Sequence, residues 1–312
     1  MPPLLHYCGL CQQVGSVQML HRVYKRGFAV LRCRECELVF TAVFPLRGSH
    51  HAIEPSVDRP EGRGYWTREA TAREEALFEF YRREARALLQ ALPIRSGRLL
   101  DIGCSFGVLV EEARRAGFDA SGLEADLGAA EFARSKFGVE VFSGRLDQAV
   151  FPPGSFDVVV LNDVIEHILD PIPFVTEVRR LLRPGGILLL ETPNHRSVHA
   201  LLFGVANKLN NCLRALSGGA FDHPWPGYYD FDPTQVVQAG HVLHFTPRTL
   251  QRLLERCGFT NACCHGQYSD TRYLLQRLPS RLCLGAAVVV VVQATARLTR
   301  SPNKIVAVAT GS

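Results

Sequence analysis

Four cysteines close to the N-terminus have the spacing of a metal site. Cys8 and Cys11 form one C-x-x-C pair, Cys33 and Cys36 form a second, and 21 residues separate the two pairs. Two such pairs supply four thiolates, enough for a closed tetrahedral zinc site. Because four protein ligands leave no open coordination position, we predict a structural zinc that holds a small ribbon together. The ribbon could brace the chain, dock a substrate or bind nucleic acid.

A glycine-rich stretch, LLDIGCSFGVL at residues 99–109, carries a second kind of chemistry. The five residues from Gly103 to Gly107 match G-x-S-x-G, the nucleophile elbow of serine hydrolases, with Asp170 and His244 in the required chain order. They also match a turn that joins a strand to a nucleotide-binding helix. Several strands precede the elbow in α/β-hydrolases, whereas one amphipathic helix precedes this turn, so the sequence favours nucleotide binding.

Two carboxylates near this turn indicate which ligand it would hold. Glu124 follows the next apolar run, 21 residues after Gly103, where a carboxylate can accept hydrogen bonds from ribose hydroxyls. Asp101 stands two residues before the first glycine, a position at which dinucleotide folds usually have no acid because the pyrophosphate lies close by. An acid there suits a ligand with a positive amino group. S-adenosylmethionine (SAM) has such a group, a sulfonium and a ribose.

The elements around these residues alternate. Apolar runs at 99–102, 120–123, 139–142, 158–161 and 187–190 are predicted to be buried strands. Helical segments lie between most of them, at 108–116, 127–137 and 172–182. This alternation predicts an α/β fold, in which helices cover both faces of a parallel sheet.

Further elements flank this alternating region. The spacing of apolar residues predicts helices over 68–92 and 247–257, and an apolar segment at 304–309 lies near the end of the chain. The polar residues 46–66 are interpreted as a linker, and 195–246 as a lid or substrate-binding insertion.

Aromatic residues in the linker and the insertion are candidates for the walls of a binding site. Those of the insertion could equally anchor it to the core. The residues concerned are Tyr65, Trp66, Trp225, Tyr228, Tyr229 and Phe231.

Composition limits the classes of protein further. The chain has 312 residues, 47% of them hydrophobic, and a formal net charge of +5, which argue for a globular core and against a strongly basic nucleic-acid binder. The N-terminus lacks the pattern of a signal peptide, so we expect a cytoplasmic protein. The longest apolar stretch, 282–292, is too short to span a bilayer, and a buried helix is favoured over a membrane-surface anchor.

Several motifs resemble, in the family's order, those of class I SAM-dependent methyltransferases. Residues 99–107 resemble its motif I, which usually has glycine where this chain has Ser105. GSFDVV at 154–159 resembles its fourth strand, and NDVIEHILDP at 162–171 resembles a motif of the branch that includes ubiquinone O-methyltransferases. LLRPGG, ETPN and HVLHFT, which start at residues 181, 191 and 241, continue the series. The resemblance implies a Rossmann-like sheet and SAM as cofactor, and several such proteins have an N-terminal four-cysteine ribbon.

The resemblance assigns roles to residues around the expected SAM site. Asp101 would lie near the amino group, Glu124 would hold the ribose hydroxyls, and Leu146 would flank the adenine. Arg145 stands where the family usually has an acid, which puts the contacts to the adenine amino group in doubt. The implied cofactor-binding residues are Asp101, Gly103, Cys104, Ser105, Gly107, Glu124, Leu146 and Asn162.

Three histidines are candidates for a general base, which a hydroxyl or carbon acceptor would require. They are His167, His241 and His244, although each could equally cap a helix or pack in the core. In the resembling ubiquinone enzymes, acids and a histidine near this motif are linked to a metal. A divalent ion at Glu166 and His167 is therefore a further expectation.

The sequence thus predicts a zinc ribbon over residues 1–45, the linker, and a methyltransferase domain over 67–312. The expected activity is methyl transfer to an oxygen, nitrogen or carbon atom of a small molecule, such as a sugar, lipid precursor or secondary metabolite. An rRNA or tRNA methyltransferase that binds RNA through its ribbon is the alternative, and the net charge of +5 and the missing Asn/Asp-Pro-Pro-Tyr motif argue against it. A third possibility is a non-catalytic binding module with this fold. The sequence does not predict an oligomeric state.

Overall fold

A computed structural model describes residues 8–13, 15–23, 28–43, 74–197, 241–267, 295, 297–299 and 302–311. The predicted linker, the apolar stretch at 282–292, most of the insertion and the aromatic residues named above lie outside the described residues. Among the helices that are described, none has the length and apolar character needed to cross a membrane.

Strands and helices alternate through most of the described chain. In chain order they are β1 (Val17–Val23), β2 (Phe28–Cys33), β3 (Val39–Val43), α1 (Glu74–Gln90), β4 (Gly97–Ile102), α2 (Val108–Arg115), β5 (Phe118–Glu124), α3 (Leu127–Phe137), β6 (Glu140–Ser143), β7 (Phe156–Asn162), α4 (Pro171–Leu181), β8 (Leu182–Pro193), β9 (Leu243–His244), α5 (Pro247–Arg256), β10 (Phe259–Gln267) and β11 (Lys304–Gly311). Single turns of 3₁₀-helix occur at Leu146–Gln148 and Ile165–His167.

The main sheet has seven strands in the order β10-β11-β8-β7-β4-β5-β6. Strands β4 to β8 of this sheet pair in parallel, and β11 pairs antiparallel with both β8 and β10. The predicted α/β fold is confirmed, with a mixed rather than an all-parallel sheet. The chain proceeds from β4 outward to β6 and then returns to the other side of β4 with β7. The carboxyl ends of β4 and β7 therefore flank a switch point, where open α/β sheets bind their ligands.

Both faces of this sheet are covered, which explains the uninterrupted apolar runs of its central strands. Val158 and Val160 of β7 belong to the same buried cluster as residues of α1, α2 and α3. Val159 and Leu161 belong instead to a cluster that includes residues of α4 and α5. Alternate residues of one strand thus pack into two different layers.

The predicted ribbon is a small antiparallel sheet with the strand order β1-β2-β3-β9. Its fourth strand comes from far along the chain, because Val39 pairs with His244 and Phe40 pairs with Leu243. Buried residues of the ribbon share one continuous hydrophobic cluster with Phe245 and α5. The sequence-based division into domains stays a prediction, but within the described residues the ribbon and the main sheet have a common core.

Candidate functional site

The glycine-rich segment forms a tight turn between β4 and α2. Gly103, Ser105 and Gly107 have φ angles of 74°, 47° and 76°, all in the left-handed region that favours glycine. The amide of Gly107 donates to the carbonyl oxygen of Cys104 at 2.8 Å. A Cβ at Gly103 would lie 2.6 Å from Val164 Cγ2, and one at Gly107 would lie 2.8 Å from Ala133 Cβ. Both glycines therefore allow the turn to pack closely against neighbouring side chains of the protein.

An aromatic cluster holds the turn against helices α1 and α3. Phe106 packs edge-on against Phe78 of α1 and Phe132 of α3, at ring distances of 6.1 and 5.1 Å. The thiol of Cys104 packs against Gly122, where an added Cβ would lie 2.4 Å from Sγ. Sequence reasoning missed this anchor, because the ring contacts join the turn to two helices that are separate in the sequence.

Asp101 is a buried acid at the carboxyl end of β4, and it is only 1% exposed. Its Oδ1 atom has no hydrogen-bond partner among the described residues. Burial, together with the nearby Glu124 carboxylate, raises the pKa of Asp101 well above its usual range. An oxygen in this state favours a ligand that brings a positive charge or a hydrogen-bond donor.

Glu124 closes the other side of the turn, at the end of β5. Its Oε2 atom accepts a hydrogen bond from the amide of Ser105, and its Oε1 atom accepts one from the amide of Asp126, each at 2.8 Å. Each carboxylate oxygen keeps a second lone pair with which it can accept from a ligand hydroxyl. Burial raises the pKa of Glu124, and the two amide hydrogen bonds oppose that effect.

The other expected cofactor residues lie around the same edge of the sheet. Asn162 ends β7, and its Oδ1 atom is buried without a hydrogen-bond partner in the described part of the chain. Leu146 is buried in the turn that follows β6. Next to it, the guanidinium of Arg145 lies 3.4 Å from Asp147 in an exposed ion pair. The parallel pairing of β4 with β5 and β7 thus brings Asp101, Glu124 and Asn162 to one edge.

A second polar group contains Glu166, His167 and His241. Each of these residues offers a potential metal-ligand atom, and the three atoms lie within 4.8 Å of one another. The two imidazole rings are 4.7 Å apart and almost perpendicular. Imidazole and carboxylate together suit a divalent cation. Sequence reasoning named Glu166 and His167 for a metal and His241 for a base, but it did not bring the three together.

Glu166 is the buried member of this group, with 1% of its surface exposed. The hydroxyl of Thr192 donates to its Oε2 atom at 3.0 Å, and its Oε1 atom has no hydrogen-bond partner among the residues that the structure describes. Burial is the main cause that raises the pKa of Glu166 to about 8.

His244, the third candidate base, lies in β9 within the ribbon sheet. Its Nε2 atom is 3.0 Å from the hydroxyl of Thr41, and its ring lies 5.3 Å from that of His195. Asp170, the candidate acid of the hydrolase interpretation, stands at the N-terminus of α4.

A partly buried ion-pair cluster that the sequence did not predict lies near the carboxyl ends of β7 and β8. The Lys304 ammonium at the start of β11 contacts Glu191 most closely and lies 3.2 Å from Asp163 and 3.9 Å from Glu84. Burial raises the pKa of Glu191 to about 7, although Lys304 opposes the shift. Burial alone would lower the pKa of Lys304, but the three carboxylates outweigh it and raise that pKa.

The four cysteines of the ribbon meet as their spacing predicts. The Sγ atoms of Cys8 and Cys36 are 3.5 Å apart, those of Cys11 and Cys33 are 3.4 Å apart, and all four lie within 4.8 Å of one another. Zn–S bonds of about 2.3 Å in a tetrahedron would place sulfur atoms roughly 3.8 Å apart. The four thiols are free of disulfides and fit one zinc ion.

Comparisons with known proteins agree with this geometry. The sequence profile of a family described as "Methyltransferase domain" matches residues 74–263. A ubiquinone biosynthesis O-methyltransferase from Cereibacter sphaeroides is 35% identical over 114 residues, which cover 35% of this chain and 46% of that protein. The corresponding protein of Methylococcus capsulatus is 33% identical over 141 residues, covering 43% and 59%. The chain thus spans about half the length of the curated relatives it matches.

Solved structures show the same fold at low sequence identity. A SAM-dependent methyltransferase from Thermotoga maritima aligns with a TM-score of 0.51 and 18% identity, covering 80% of this chain and 98% of that one. A Haemonchus contortus phosphoethanolamine N-methyltransferase in complex with SAM aligns with a TM-score of 0.54 and 16% identity, covering 87% and 62%.

Proposed function

Because the chain belongs to the methyltransferase domain family, we propose that it transfers a methyl group from SAM to an oxygen, nitrogen or carbon atom of a small molecule. The observation that carries this proposal is the pair of acids on either side of the turn at 103–107. Asp101 presents a buried carboxylate oxygen that has no hydrogen-bond partner among the described residues, and Glu124 is fixed by two backbone amides. Asp101 borders the switch point of the sheet and Glu124 ends the adjoining strand β5, so a ligand with an amino group and a ribose can meet both.

Each residue near the turn then has a defined task. Asp101 would pair with the amino group of SAM, Glu124 would accept hydrogen bonds from the ribose hydroxyls, and Leu146 would lie against the adenine. Asn162 ends β7, and its Oδ1 atom, which has no hydrogen-bond partner in the described part of the chain, would face the cofactor near the methyl group. The backbone of residues 103–107 would line the cofactor between them, and Gly103 and Gly107 provide the turn.

SAM supplies a methyl group that its sulfonium already activates, so the chain mainly has to align the acceptor with it. A hydroxyl or carbon acceptor must also lose a proton, and we assign that task to His167 or His241. His244 supports the segment that carries His241 through its hydrogen bond with Thr41. With Glu166, these two histidines would also suit a divalent cation.

The named relatives support a small-molecule acceptor, since they act in ubiquinone biosynthesis. We therefore place sugars, lipid precursors and secondary metabolites ahead of RNA. The cytoplasmic location remains a prediction from the sequence.

We further propose that Cys8, Cys11, Cys33 and Cys36 bind one structural zinc ion. The support is the convergence of their four Sγ atoms on one centre. Four thiolate ligands complete a tetrahedron, so this ion would stabilise the ribbon without meeting the acceptor.

Transfer of a labelled methyl group tests the proposed activity. Purified protein and SAM are incubated with a panel of phenols, sugars and amines, and in parallel with total RNA. Label in at least one small molecule and none in RNA is expected. Label in RNA alone would replace the proposal with the RNA-methylating alternative, and SAM binding with no labelled acceptor in broad panels would favour a binding module.

A further inference from the structure

We infer that the four-cysteine ribbon forms a wall of the proposed acceptor site, and that Thr41 is a positioning residue that places His241 beside Glu166 and His167. The inference rests on the proposed function, because it takes these three residues as the acceptor side of the site. It assigns to the ribbon a role in shaping that site, beyond bracing the fold or docking a separate partner.

The first link is the pairing of β3 with the 241–245 segment. The amide of Thr41 donates to the carbonyl oxygen of Val242 at 2.8 Å. The hydroxyl of the same residue lies 3.0 Å from Nε2 of His244. Both the backbone and the side chain of Thr41 therefore hold this segment in the ribbon sheet. Thr41 is only 6% exposed, so water competes little for these hydrogen bonds.

The second link joins the same segment to Glu166. The amide of Val242 donates to the carbonyl oxygen of Glu166 at 2.8 Å. Val242 is thus bonded on one side to the ribbon and on the other to the turn that carries Glu166 and His167. Its neighbour His241 contributes the ring that packs 4.7 Å from that of His167. A shift of β3 would move His241 relative to Glu166, because one residue joins the two hydrogen bonds.

The third link fixes the metal end of the ribbon to the same region. Arg252 and Arg256 of α5 donate to the carbonyl oxygens of Cys36 and Cys11, at 2.9 and 3.1 Å. Helix α5 begins at Pro247, directly after the 241–245 segment. The ribbon is therefore attached both to the 241–245 segment and to the helix that follows it.

Thr41→Val is the direct test, since valine keeps the shape and the backbone amide but loses the hydroxyl. Selectively labelled histidine rings report on His167 and His241 by NMR, and hydrogen exchange reports on the Val242 amide. We expect both ring signals to shift and the amide to exchange about fivefold faster, the factor that corresponds to one lost buried hydrogen bond. Thr41→Ser, which retains the hydroxyl, should restore both.

Thr260→Val is the matched control, because its hydroxyl also bonds within a strand pair, 3.1 Å from Thr310 Oγ1, but in the main sheet. It should leave the histidine signals unchanged. Zinc removal from the wild-type chain gives an independent measurement if Thr41→Val fails to fold. Loss of protection in β1 and β2 with an unchanged Val242 amide and unchanged His167 and His241 signals would overturn the inference.

SAM titration of the same samples separates the inference from the proposed function. The Thr41 variants should bind SAM as the wild type does, since Thr41 contacts the acceptor side. A wild-type chain that binds no SAM would contradict the proposed function. A chain that binds SAM but keeps its histidine signals in Thr41→Val would contradict the inference alone.

Discussion

The main-chain amide of Ser105 donates a hydrogen bond to the Oε2 atom of Glu124 at 2.8 Å. This bond ties the turn after β4 to the end of β5, so the two strands present one binding edge. Ser105 acts here through its backbone, in a left-handed conformation with φ of 47°. Its match to a hydrolase elbow is therefore a coincidence of residue spacing. Glycine would be less strained than serine at this position.

Ser105→Gly should stabilise the protein and retain SAM binding. Glycine adopts the left-handed conformation without the Cβ penalty but loses more entropy on folding, so we expect a net gain of up to about 1 kcal/mol in the free energy of unfolding. Thermal unfolding measures the change. The contrasting variant is Gly107→Ala, whose new Cβ would lie 2.8 Å from Ala133 and should destabilise by about 1–3 kcal/mol. Lost SAM binding in Ser105→Gly would show that the serine side chain has a role of its own.

SAM affinity should rise with pH from the acidic side up to the range near 8, in which an α-amino group loses its own proton. Burial and Glu124 raise the pKa of Asp101 in the ligand-free chain, and pairing with an ammonium group lowers it again. Because the free carboxyl holds its proton more tightly than the bound one, binding releases protons and higher pH favours it. Calorimetry in buffers of different ionisation enthalpy counts the released protons.

Asp101→Asn supplies the control for this pH dependence. The amide cannot ionise, so binding should be weaker and its pH slope should shrink to the part contributed by Glu124. An Asp101→Asn protein with the wild-type pH slope would show that another group releases the proton on binding.

Cys33→Ser should abolish zinc binding and destabilise the ribbon. The wild-type chain is expected to release one zinc ion on chelation, with loss of protection in residues 8–43, since binding a structural metal contributes directly to folding. Metal analysis and hydrogen exchange measure the two effects. Cys263→Ser, at an exposed cysteine of β10, is the matched control and should keep its zinc. Equal zinc content in both variants would contradict the four-cysteine site.

Lys304→Met should destabilise the protein, and more so as the pH rises. The substitution leaves Glu191, 2% exposed, without its closest cation, and breaking a buried pair in this way costs about 3–5 kcal/mol. The pKa of Glu191, already raised to about 7, would rise further, so the folded variant holds the proton more tightly than the unfolded chain and loses stability as pH increases through that pKa.

The double variant Lys304→Met with Glu191→Gln removes the orphaned charge. It should recover part of the lost stability and lose most of the added pH dependence, as measured by denaturant unfolding at pH 6 and 8. No recovery would mean that Asp163 or Glu84 carries the coupling instead.

The sequence predicted the central sheet well because its strands are buried on both faces. Such strands consist of consecutive apolar residues in the sequence. The predicted runs at 158–161 and 187–190 lie within β7 and β8. It also placed Asp101, Glu124 and Asn162 at strand ends, which a parallel sheet must bring to one edge.

Contacts between distant parts of the chain could not be predicted in the same way. Strand β9 has only two residues, and nothing in the local pattern of Leu243–His244 indicates that they pair with β3. Lys304 likewise meets Glu191 only because β11 lies beside β8. These relationships depend on tertiary structure, which single-sequence periodicity does not encode.

Calorimetric titration of SAM into the wild-type chain, Asp101→Ala and Glu124→Ala tests the central claim most directly. The wild type should bind one SAM molecule per chain, and each variant should bind at least about tenfold more weakly, the loss expected from removing a charged hydrogen-bonding partner. Thermal unfolding of the same samples should show that both variants remain folded. A wild-type chain that does not bind SAM, or folded variants that both bind it with wild-type affinity, would contradict the account.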